Sequence, residues 1–303
     1  MYLAHQQVAA GLAECTLALG FEKMEAGSLA AKYTDRANPL DKTITLMADI
    51  VGVGSGPFAA QIFGNVSLSS AKKVECVQFC ETRADAVVHR VETSIASDTE
   101  LLGSTLERLP PRTINIPPTT LVRSSLASSI QRLIGSIDSQ FTNSMTTEQV
   151  MADKKVTEYL TRAMCCPTSD GGAAAIIASE DFVIKHGLQN QAIEIAALSL
   201  TTDSPRLFED RSAIELTGAD MTRRASAAAY KAAGIGPEDL SVIELHDCFA
   251  ANELLTYDAL GLTAPGRAHD LVTSKDNTYG GKYLINPSGG LESKGANSLS
   301  RSS

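Results

Sequence analysis

The chain has 303 residues, 44% of them hydrophobic and 20% charged, which is enough for one large domain or two smaller ones. Its formal net charge of -9 and its pI near 5.1 argue against nucleic acid as a partner, because phosphates attract basic surfaces. No apolar run reaches the roughly 18 residues of a membrane span, and no signal peptide is recognisable. We therefore expect a cytosolic or organellar-matrix location.

The six cysteines do not form a disulfide-scaffold pattern, since they are too sparse for this length. Cys76 and Cys80 are four residues apart, but no second pair or nearby histidine completes a zinc site. We therefore predict no metal. The adjacent Cys165 and Cys166 are expected to be small buried hydrophobic residues.

At the amino terminus, the spacing of apolar residues predicts a helix over 1–12 and a fully buried strand over 15–20. Residues 65–138 are rich in Ser, Thr and Arg, contain two proline pairs and show no sustained period apart from a weak amphipathic piece at 121–134. This composition is typical of a loop or a disordered segment. A mis-read intron in the gene would give the same composition, and both interpretations stay open.

The middle of the chain alternates strands and helices. A Pro-Thr-Ser-Asp-Gly turn leads into a strand of Ala and Ile that ends near residue 178, and Ser179 is the expected N-cap of a helix through Lys185. A strand over 192–200 follows, and then a helix over 221–233 with Asp220 as its cap and Gly234 as its stop. This alternation predicts two related α/β layers.

The most informative stretch is 242–262, where a buried strand at 242–245 precedes a helix at 251–260. Between them lie His246, Asp247 and Cys248, at the carboxyl end of the strand, where open α/β sheets bind ligands. A cysteine just before a helix is exposed to the positive end of the helix dipole, which favours the thiolate form and predicts that Cys248 acts as an acid/base or as a nucleophile. The alternative is that His246 and Cys248 are ordinary packed residues.

Several blocks of the sequence occur together and in a recognisable order. The string His-Asp-Cys-Phe at 246–249, followed by Asn-Glu-Leu-Leu at 252–255, closely resembles the thiolases of the sterol carrier protein X type. Further matching blocks are Phe-Glu-Lys-Met at 21–24, Glu-Gln-Val-Met-Ala at 148–152, Asn-Thr-Tyr-Gly-Gly-Lys at 277–282 and Asn-Pro-Ser-Gly-Gly at 286–290. The resemblance covers roughly residues 1–64 and 139–295.

The resemblance implies the thiolase fold, an α/β architecture of two related halves with an inserted loop domain that begins near residue 34 and covers the acyl-CoA. It further implies an incomplete fold at both termini. The expected organisation is a partial amino-terminal half at 1–190, with 65–138 as an atypical insertion or loop, a partial carboxyl-terminal half at 191–295 and a disordered tail at 296–303. Asp170 and Gly171 are expected to shape the backbone.

The resemblance also implies the chemistry, which is the thiolytic cleavage of a 3-ketoacyl-CoA with coenzyme A as a substrate and without a cofactor. His246 would help form an oxyanion hole, and Cys248 would move a proton at the α-carbon of the substrate. The substrate-binding residues expected in the same cleft are Asn252, Asn286, Ser288 and Gly289.

Two functional positions of the family have no counterpart in this sequence. The nucleophilic cysteine of these thiolases begins the helix before the strand of Cys15, and no cysteine precedes Cys15; a second histidine position holds Ala296. We therefore expect the chain alone not to carry out thiolysis. An inactive thiolase-like protein or subunit that binds acyl-CoA or lipid is the alternative. Family resemblance also implies a homodimer and a peroxisomal location, although Arg-Ser-Ser at 301–303 is not a peroxisomal ending of the Ser-Lys-Leu type.

Overall fold

The computed structural model describes residues 1–25, 35–52, 54, 56–71, 140–141 and 145–294. The strands there are β1 (Cys15–Glu22), β2 (Gly171–Ala178), β3 (Val242–Ile243) and β4 (Leu284–Ile285). The helices there are α1 (Tyr2–Ala9), α2 (Asp41–Val51), α3 (Phe58–Ala71), α4 (Thr147–Ala152), α5 (Glu180–Lys185), α6 (Arg206–Glu209), α7 (Ala219–Ala233), α8 (Ala250–Ala259), α9 (Ala268–Ser274) and α10 (Gly290–Lys294). Within those ranges, no helix combines the length and the apolar character that crossing a bilayer requires.

The first sheet is an antiparallel ribbon of β1 and β2, paired without interruption from Cys15 opposite Ala178 to Glu22 opposite Gly171. Helix α1 packs on one face, where the Thr16 hydroxyl donates to the carbonyl of Ala4 at 3.2 Å. The predicted helix and strand are therefore confirmed. The expected complete burial of β1 is wrong, because its other face has no covering element among the described residues.

That uncovered face of the ribbon is apolar. Side chains alternate along a strand, so alternate residues of β1 point away from α1 together with their neighbours on β2. The exposed members are Leu17, Leu19, Phe21 and Ile176. Beyond the ribbon, the carboxylate of Asp170 accepts a hydrogen bond from the Met24 amide at 2.7 Å, which agrees with the backbone-shaping role expected for Asp170.

The second sheet pairs β3 and β4 in parallel, with Val242 opposite Leu284 and Ile243 opposite Ile285. The predicted strand at 242–245 is thus confirmed in its first two residues, and the helix that follows it begins at residue 250. Because the two strands run in the same direction, the loops that leave their carboxyl ends emerge at the same edge of the sheet.

Helix α8 lies at the centre of the main hydrophobic core. Eight of its ten residues are buried, including the apolar positions expected from sequence. Small residues at its start allow α3 to approach closely, and Phe63 of α3 stacks on Phe249 with ring centroids 5.0 Å apart. A helix that is buried almost all round holds the residues just before it in a fixed position.

Two sequence-based expectations in the middle of the chain need correction. Residues 192–200 form no strand, because no neighbouring strand pairs with this segment among the described residues. Its side chains Ile193 and Leu200 are exposed. Gly218 is the N-cap of α7, and Asp220 lies in its first turn. The other capping predictions are confirmed, since Ser179 accepts a hydrogen bond from the Phe182 amide at 3.2 Å and Gly234 is left-handed.

The segment that begins at residue 65 was expected to be a loop or disordered, but its first residues are helical. Helix α3 continues to Ala71, and Val66 is fully buried in a cluster with Ile214 and Leu255. The loop or disordered segment expected at 65–138 is therefore wrong for its start, because Val66 of α3 packs against Leu255 of α8. Residues 72–138 and the tail at 296–303 lie outside the described residues. The division of the chain near residue 190 remains a prediction.

A core substitution tests the central position of α8. Leu254 is almost fully buried, so Leu254→Ala removes packed methyl groups and leaves a cavity, which typically lowers the free energy of unfolding by about 2 to 5 kcal/mol. Leu3→Ala in α1 is the matched control, because Leu3 is exposed and its loss is expected to change stability by less than about 0.5 kcal/mol. Urea denaturation of both variants measures the difference. Equal stability of the two would contradict the central position of α8.

Candidate active site

Two loops meet at the carboxyl edge of the β3–β4 sheet. The Leu245 amide donates to the side-chain oxygen of Asn286 at 2.8 Å. The carboxylate of Glu244 accepts hydrogen bonds from the amide and the hydroxyl of Ser288, at 3.0 and 2.8 Å. These contacts bring the His246–Cys248 loop against the 286–290 loop, which is the juxtaposition expected from the order of strands and loops.

A buried carboxylate connects the two loops more deeply. Asp247 is fully buried, and its oxygens accept hydrogen bonds from the amides of Leu291 at 2.6 Å and Glu292 at 3.5 Å, both in the first turn of α10. Asp247 thus caps a helix that is distant in sequence. Gly290 has a φ of +62°, and a Cβ at this position would collide with the Asp247 carboxylate, so only glycine fits there.

His246 lies on the surface of this edge. The residue is exposed to solvent. The protein atoms around the imidazole nevertheless remove part of its hydration, and this desolvation lowers its pKa from the usual value. The imidazole is therefore neutral near pH 7 and carries one N–H donor. The side-chain amide of Asn252 donates to the His246 carbonyl oxygen. Asn252 is itself buried, so it fixes the backbone of His246 from behind.

Cys248 lies beneath the surface, buried next to a neighbouring segment of the chain. The Cys166 amide donates to the Cys248 carbonyl at 2.9 Å, and the adjacent pair Cys165 and Phe249 forms an antiparallel bridge. Burial raises the pKa of the Cys248 thiol strongly, and the nearby Cys166, Asp247 and Glu292 raise it further. The predicted thiolate is therefore wrong, since burial and neighbouring anions outweigh the helix dipole.

The neighbouring cysteines are in the same environment. Burial, followed by the charge of Glu292, raises the pKa of Cys165 to about 12 and that of Cys166 to about 11. Both are free thiols and half-buried, so the expectation of buried small residues is only partly met. No group of three or more potential metal ligands occurs within the described ranges.

The other predicted binding residues take part in the loop contacts. Asn286 is fully buried with a φ of +48°, a conformation that asparagine tolerates better than most residues. Its side-chain nitrogen is buried and has no acceptor among the described residues. Gly289 also has a positive φ, and its amide donates to the Asn286 carbonyl at 2.9 Å.

The sequence and fold were compared with known proteins. Residues 208–300 match the family model described as "Thiolase C-terminal domain-like". Sterol carrier protein 2 of Rattus norvegicus is 44% identical over 295 residues, which cover 97% of this chain and 46% of the rat protein. The non-specific lipid-transfer protein-like 2 of Caenorhabditis elegans is 36% identical, with 97% of this chain and 63% of that protein covered.

Solved structures show the same fold. An Ltp2–ChsH2(DUF35) aldolase has a TM-score of 0.65 at 15% identity, covering 96% of this chain and 63% of that one. Human mitochondrial 3-ketoacyl-CoA thiolase has a TM-score of 0.51 at 16% identity, covering 96% and 62%. The chain is similar to sterol carrier protein 2. Its α/β architecture is the thiolase fold, and it spans about half the length of the rat relative.

The sequence analysis assigned no role to several buried polar residues near this site. They are acidic or hydrogen-bonding residues at apolar positions, namely Asp247, Glu253, Tyr257, Asn277 and Glu292. The Tyr257 hydroxyl donates to Glu253 and accepts from the Asn277 amide at 3.1 Å, and burial together with Glu253 raises the tyrosine pKa well above its usual value. One of these residues could have been noticed in the sequence, because Glu253 is a charged residue among the apolar positions of the helix predicted at 251–260.

A separate pocket lies near the start of α7 and is lined by charges of both signs. Its charged groups pair with one another, with Arg206 and Asp210 at 3.0 Å and Arg224 and Asp220 at 2.8 Å. This pocket shares no lining residue with the edge that holds His246 and Cys248.

The Asp247 cap can be tested by its contribution to stability. Asp247→Ala leaves the amides of Leu291 and Glu292 without acceptors in a buried place, at a cost of about 1 to 3 kcal/mol each. Glu244→Ala is the control, because its bonds to Ser288 are exposed and typically contribute about 1 kcal/mol or less. Thermal or urea unfolding of both variants measures the contributions. If Asp247→Ala is no less stable than the control, the carboxylate does not hold the two loops together.

Proposed function

We propose that this protein is an acyl-CoA acyltransferase of the thiolase type, which cleaves a 3-ketoacyl-CoA with coenzyme A. The observation that carries the proposal is the pairing of an exposed neutral imidazole, His246, with a buried thiol, Cys248, at the edge where two loops meet. Coenzyme A enters as a substrate, and the proposal requires no further cofactor.

His246 is assigned to the thioester oxygen. A neutral imidazole donates one hydrogen bond, and a donor directed at an oxygen that gains negative charge stabilises the transition state more than the ground state. Its exposed position gives a substrate access from solvent, whereas the Asn252 contact behind it restrains its backbone. The spare side-chain donor of Asn286 supplies a second polar group at the foot of the same site.

Cys248 is assigned to proton transfer. When the bond between the α- and β-carbons breaks, its electron pair remains on the α-carbon, and the Cys248 thiol gives that carbon a proton. The thiolate that results then takes the proton from the thiol of incoming coenzyme A, so that the cysteine returns to its resting form. A thiol with a raised pKa suits this cycle, because its thiolate is a strong base.

The acyl transfer itself is proposed for the whole protein. The family resemblance assigns the covalent acyl intermediate to a cysteine that precedes the strand of Cys15, and the described residues contribute the proton transfer and the hydrogen-bond donors. The same resemblance supports a homodimer, a role in β-oxidation of fatty acids or sterol side chains, and a peroxisomal location, each as part of this proposal.

The alternative is a thiolase-like protein that binds acyl-CoA or lipid without catalysis. It is supported by the similarity to a relative named for lipid transfer, and by the lack of a second site histidine at Ala296. The two functions differ in what Cys248 does, since binding alone does not require a thiol that exchanges protons.

Proton exchange at the α-carbon distinguishes the two functions without requiring the covalent step. We expect the chain to bind acetyl-CoA by calorimetry and to catalyse incorporation of deuterium at its α-carbon in D₂O, followed by mass spectrometry. Cys248→Ala is expected to abolish exchange, and His246→Ala to slow it by about 100- to 1,000-fold, the usual effect of losing an oxyanion donor.

Cys15→Ala is the matched control, because Cys15 is an exposed cysteine of β1 and belongs to a different sheet from the site. It should exchange at the rate of the unmodified chain. Binding without exchange would support the lipid-binding alternative, and exchange that persists in Cys248→Ala would refute the role of this cysteine. Absence of both binding and exchange would contradict both functions.

A further inference from the structure

The short segment that carries His246 and Cys248 runs directly into helix α8, and one residue of that helix is bonded to the segment on both sides of Cys248. The residue is Asn252, in the first turn of α8. Its side-chain amide donates to the carbonyl of His246, two residues before the cysteine. Its backbone amide donates to the carbonyl of Phe249, the residue after the cysteine, at 2.8 Å. The two bonds therefore enclose Cys248.

The position of Asn252 is fixed by the helix to which it belongs. Its carbonyl accepts a hydrogen bond from the hydroxyl of Thr256, one turn further along α8, at 2.8 Å. The residue is only 9% exposed, and its neighbours Ala251 and Leu254 belong to the main hydrophobic core. A side chain that leaves a restrained backbone in a packed region has few rotamers available, so the amide of Asn252 is held in one direction.

This geometry gives Asn252 a different role from the substrate binding that the resemblance implies. Its side-chain nitrogen is directed at the protein's own backbone, at the carbonyl of His246. Because a peptide unit is planar, this bond fixes the plane of the peptide that joins His246 to Asp247. It thus sets the direction in which the chain leaves His246 on its way to Cys248.

The backbone on either side of this peptide is held by other segments. The Cys166 amide donates to the carbonyl of Cys248 at 2.9 Å, which fixes the cysteine against the neighbouring segment. The Leu245 amide donates to the side chain of Asn286 at 2.8 Å, which holds the residue before His246. The bond from Asn252 acts between these two contacts, so it determines how His246 and Cys248 are placed relative to each other.

We propose that Asn252 is a positioning residue that keeps His246 and Cys248 at a fixed separation. In the proposed reaction the imidazole acts at the thioester oxygen and the thiol acts at the α-carbon of the same substrate. The two groups assist one another only when both reach their atoms together, and a displacement of about 1 Å can cost about 100-fold in rate. This inference rests on the proposed function for its catalytic meaning, whereas the placement of His246 is independent of any substrate.

Two variants without the side-chain donor test the inference by kinetics. Asn252→Ala removes the amide, and Asn252→Asp keeps its shape while replacing the donor by a carboxylate, which only accepts. An acidic residue is also favourable in the first turn of a helix, so Asn252→Asp is expected to fold. For deuterium incorporation into acetyl-CoA, we expect kcat to fall by about 10- to 100-fold and KM to change by less than about threefold. A substrate-binding residue would instead raise KM at nearly constant kcat.

The pKa of the His246 imidazole gives a second readout that requires no substrate. It is measured by proton NMR, with the His246 signal identified by its loss in His246→Ala. Desolvation lowers this pKa in the unmodified chain. When Asn252→Ala releases the His246 carbonyl, water gains access to the imidazole, so its pKa is expected to rise toward the ordinary value of about 6.5.

Asn277→Ala is the matched control, because Asn277 is also a buried amide that donates to α8. Its partner is the Tyr257 hydroxyl at 3.1 Å, and among the described residues it has no hydrogen bond to the segment 245–248. The control should lower the melting temperature as Asn252→Ala does. It should leave both kcat for exchange and the pKa of His246 unchanged, which separates positioning from a general loss of stability.

The outcomes distinguish the role of Asn252 from the proposed function. If both Asn252 variants exchange with full kcat, or with a raised KM alone, the function stands and the positioning role is overturned. The role is also overturned if Asn277→Ala slows exchange as much, or if neither Asn252 variant retains a melting transition, because Asn252 is then required for folding. If the imidazole pKa rises as expected and the unmodified chain shows no exchange, the placement of His246 by Asn252 stands and the acyltransferase function fails.

Discussion

The carboxylate of Asp247 is the constraint on which the geometry of the site depends. Strands β3 and β4 share only two paired residues each, which is too little to fix the loops that follow them. The bonds from Asp247 to the first turn of α10 supply the missing restraint, and Gly290 leaves the space that the carboxylate occupies. The buried Asp247 carboxylate thus joins the cysteine loop to the start of α10, in addition to the bond between Leu245 and Asn286.

Burial of so much negative charge in one region has a chemical consequence. Helix α8 adds the buried side chains of Glu253 and Tyr257, and burial together with Glu253 holds the pKa of Tyr257 well above its usual value. The arrangement favours thiols and neutral side chains over ions. Proton transfer between groups of this kind needs little rearrangement of solvent, because the polar environment is already in place.

Local sequence patterns predicted the strand and the helix on either side of His246 and Cys248, because strand ends and helix periodicity depend on neighbouring residues. They also predicted that the 286–290 loop lies beside the His246–Cys248 loop. The thiolate predicted for Cys248 failed because burial raises the pKa of the thiol, and because Cys166 and Glu292, which raise it further, are remote in sequence. The strand predicted at 192–200 failed for a related reason, because a strand is defined by its hydrogen-bonded neighbours. The start of the segment at 65–138 was assigned to a loop from its composition, although Val66 packs into the core.

The long separation between β1 and β2 has a consequence for biosynthesis. Glu22 pairs with Gly171, so the amino-terminal strand lacks its hydrogen-bonding neighbour until about 150 further residues have been made. At typical elongation rates of about 5 to 20 residues per second, that interval is on the order of 8 to 30 s. During this time the nascent chain presents a strand edge together with Leu17, Leu19 and Phe21, the kind of surface that holding chaperones recognise on a ribosome. Production of this protein in a foreign host is therefore expected to respond to translation speed and to chaperone supply.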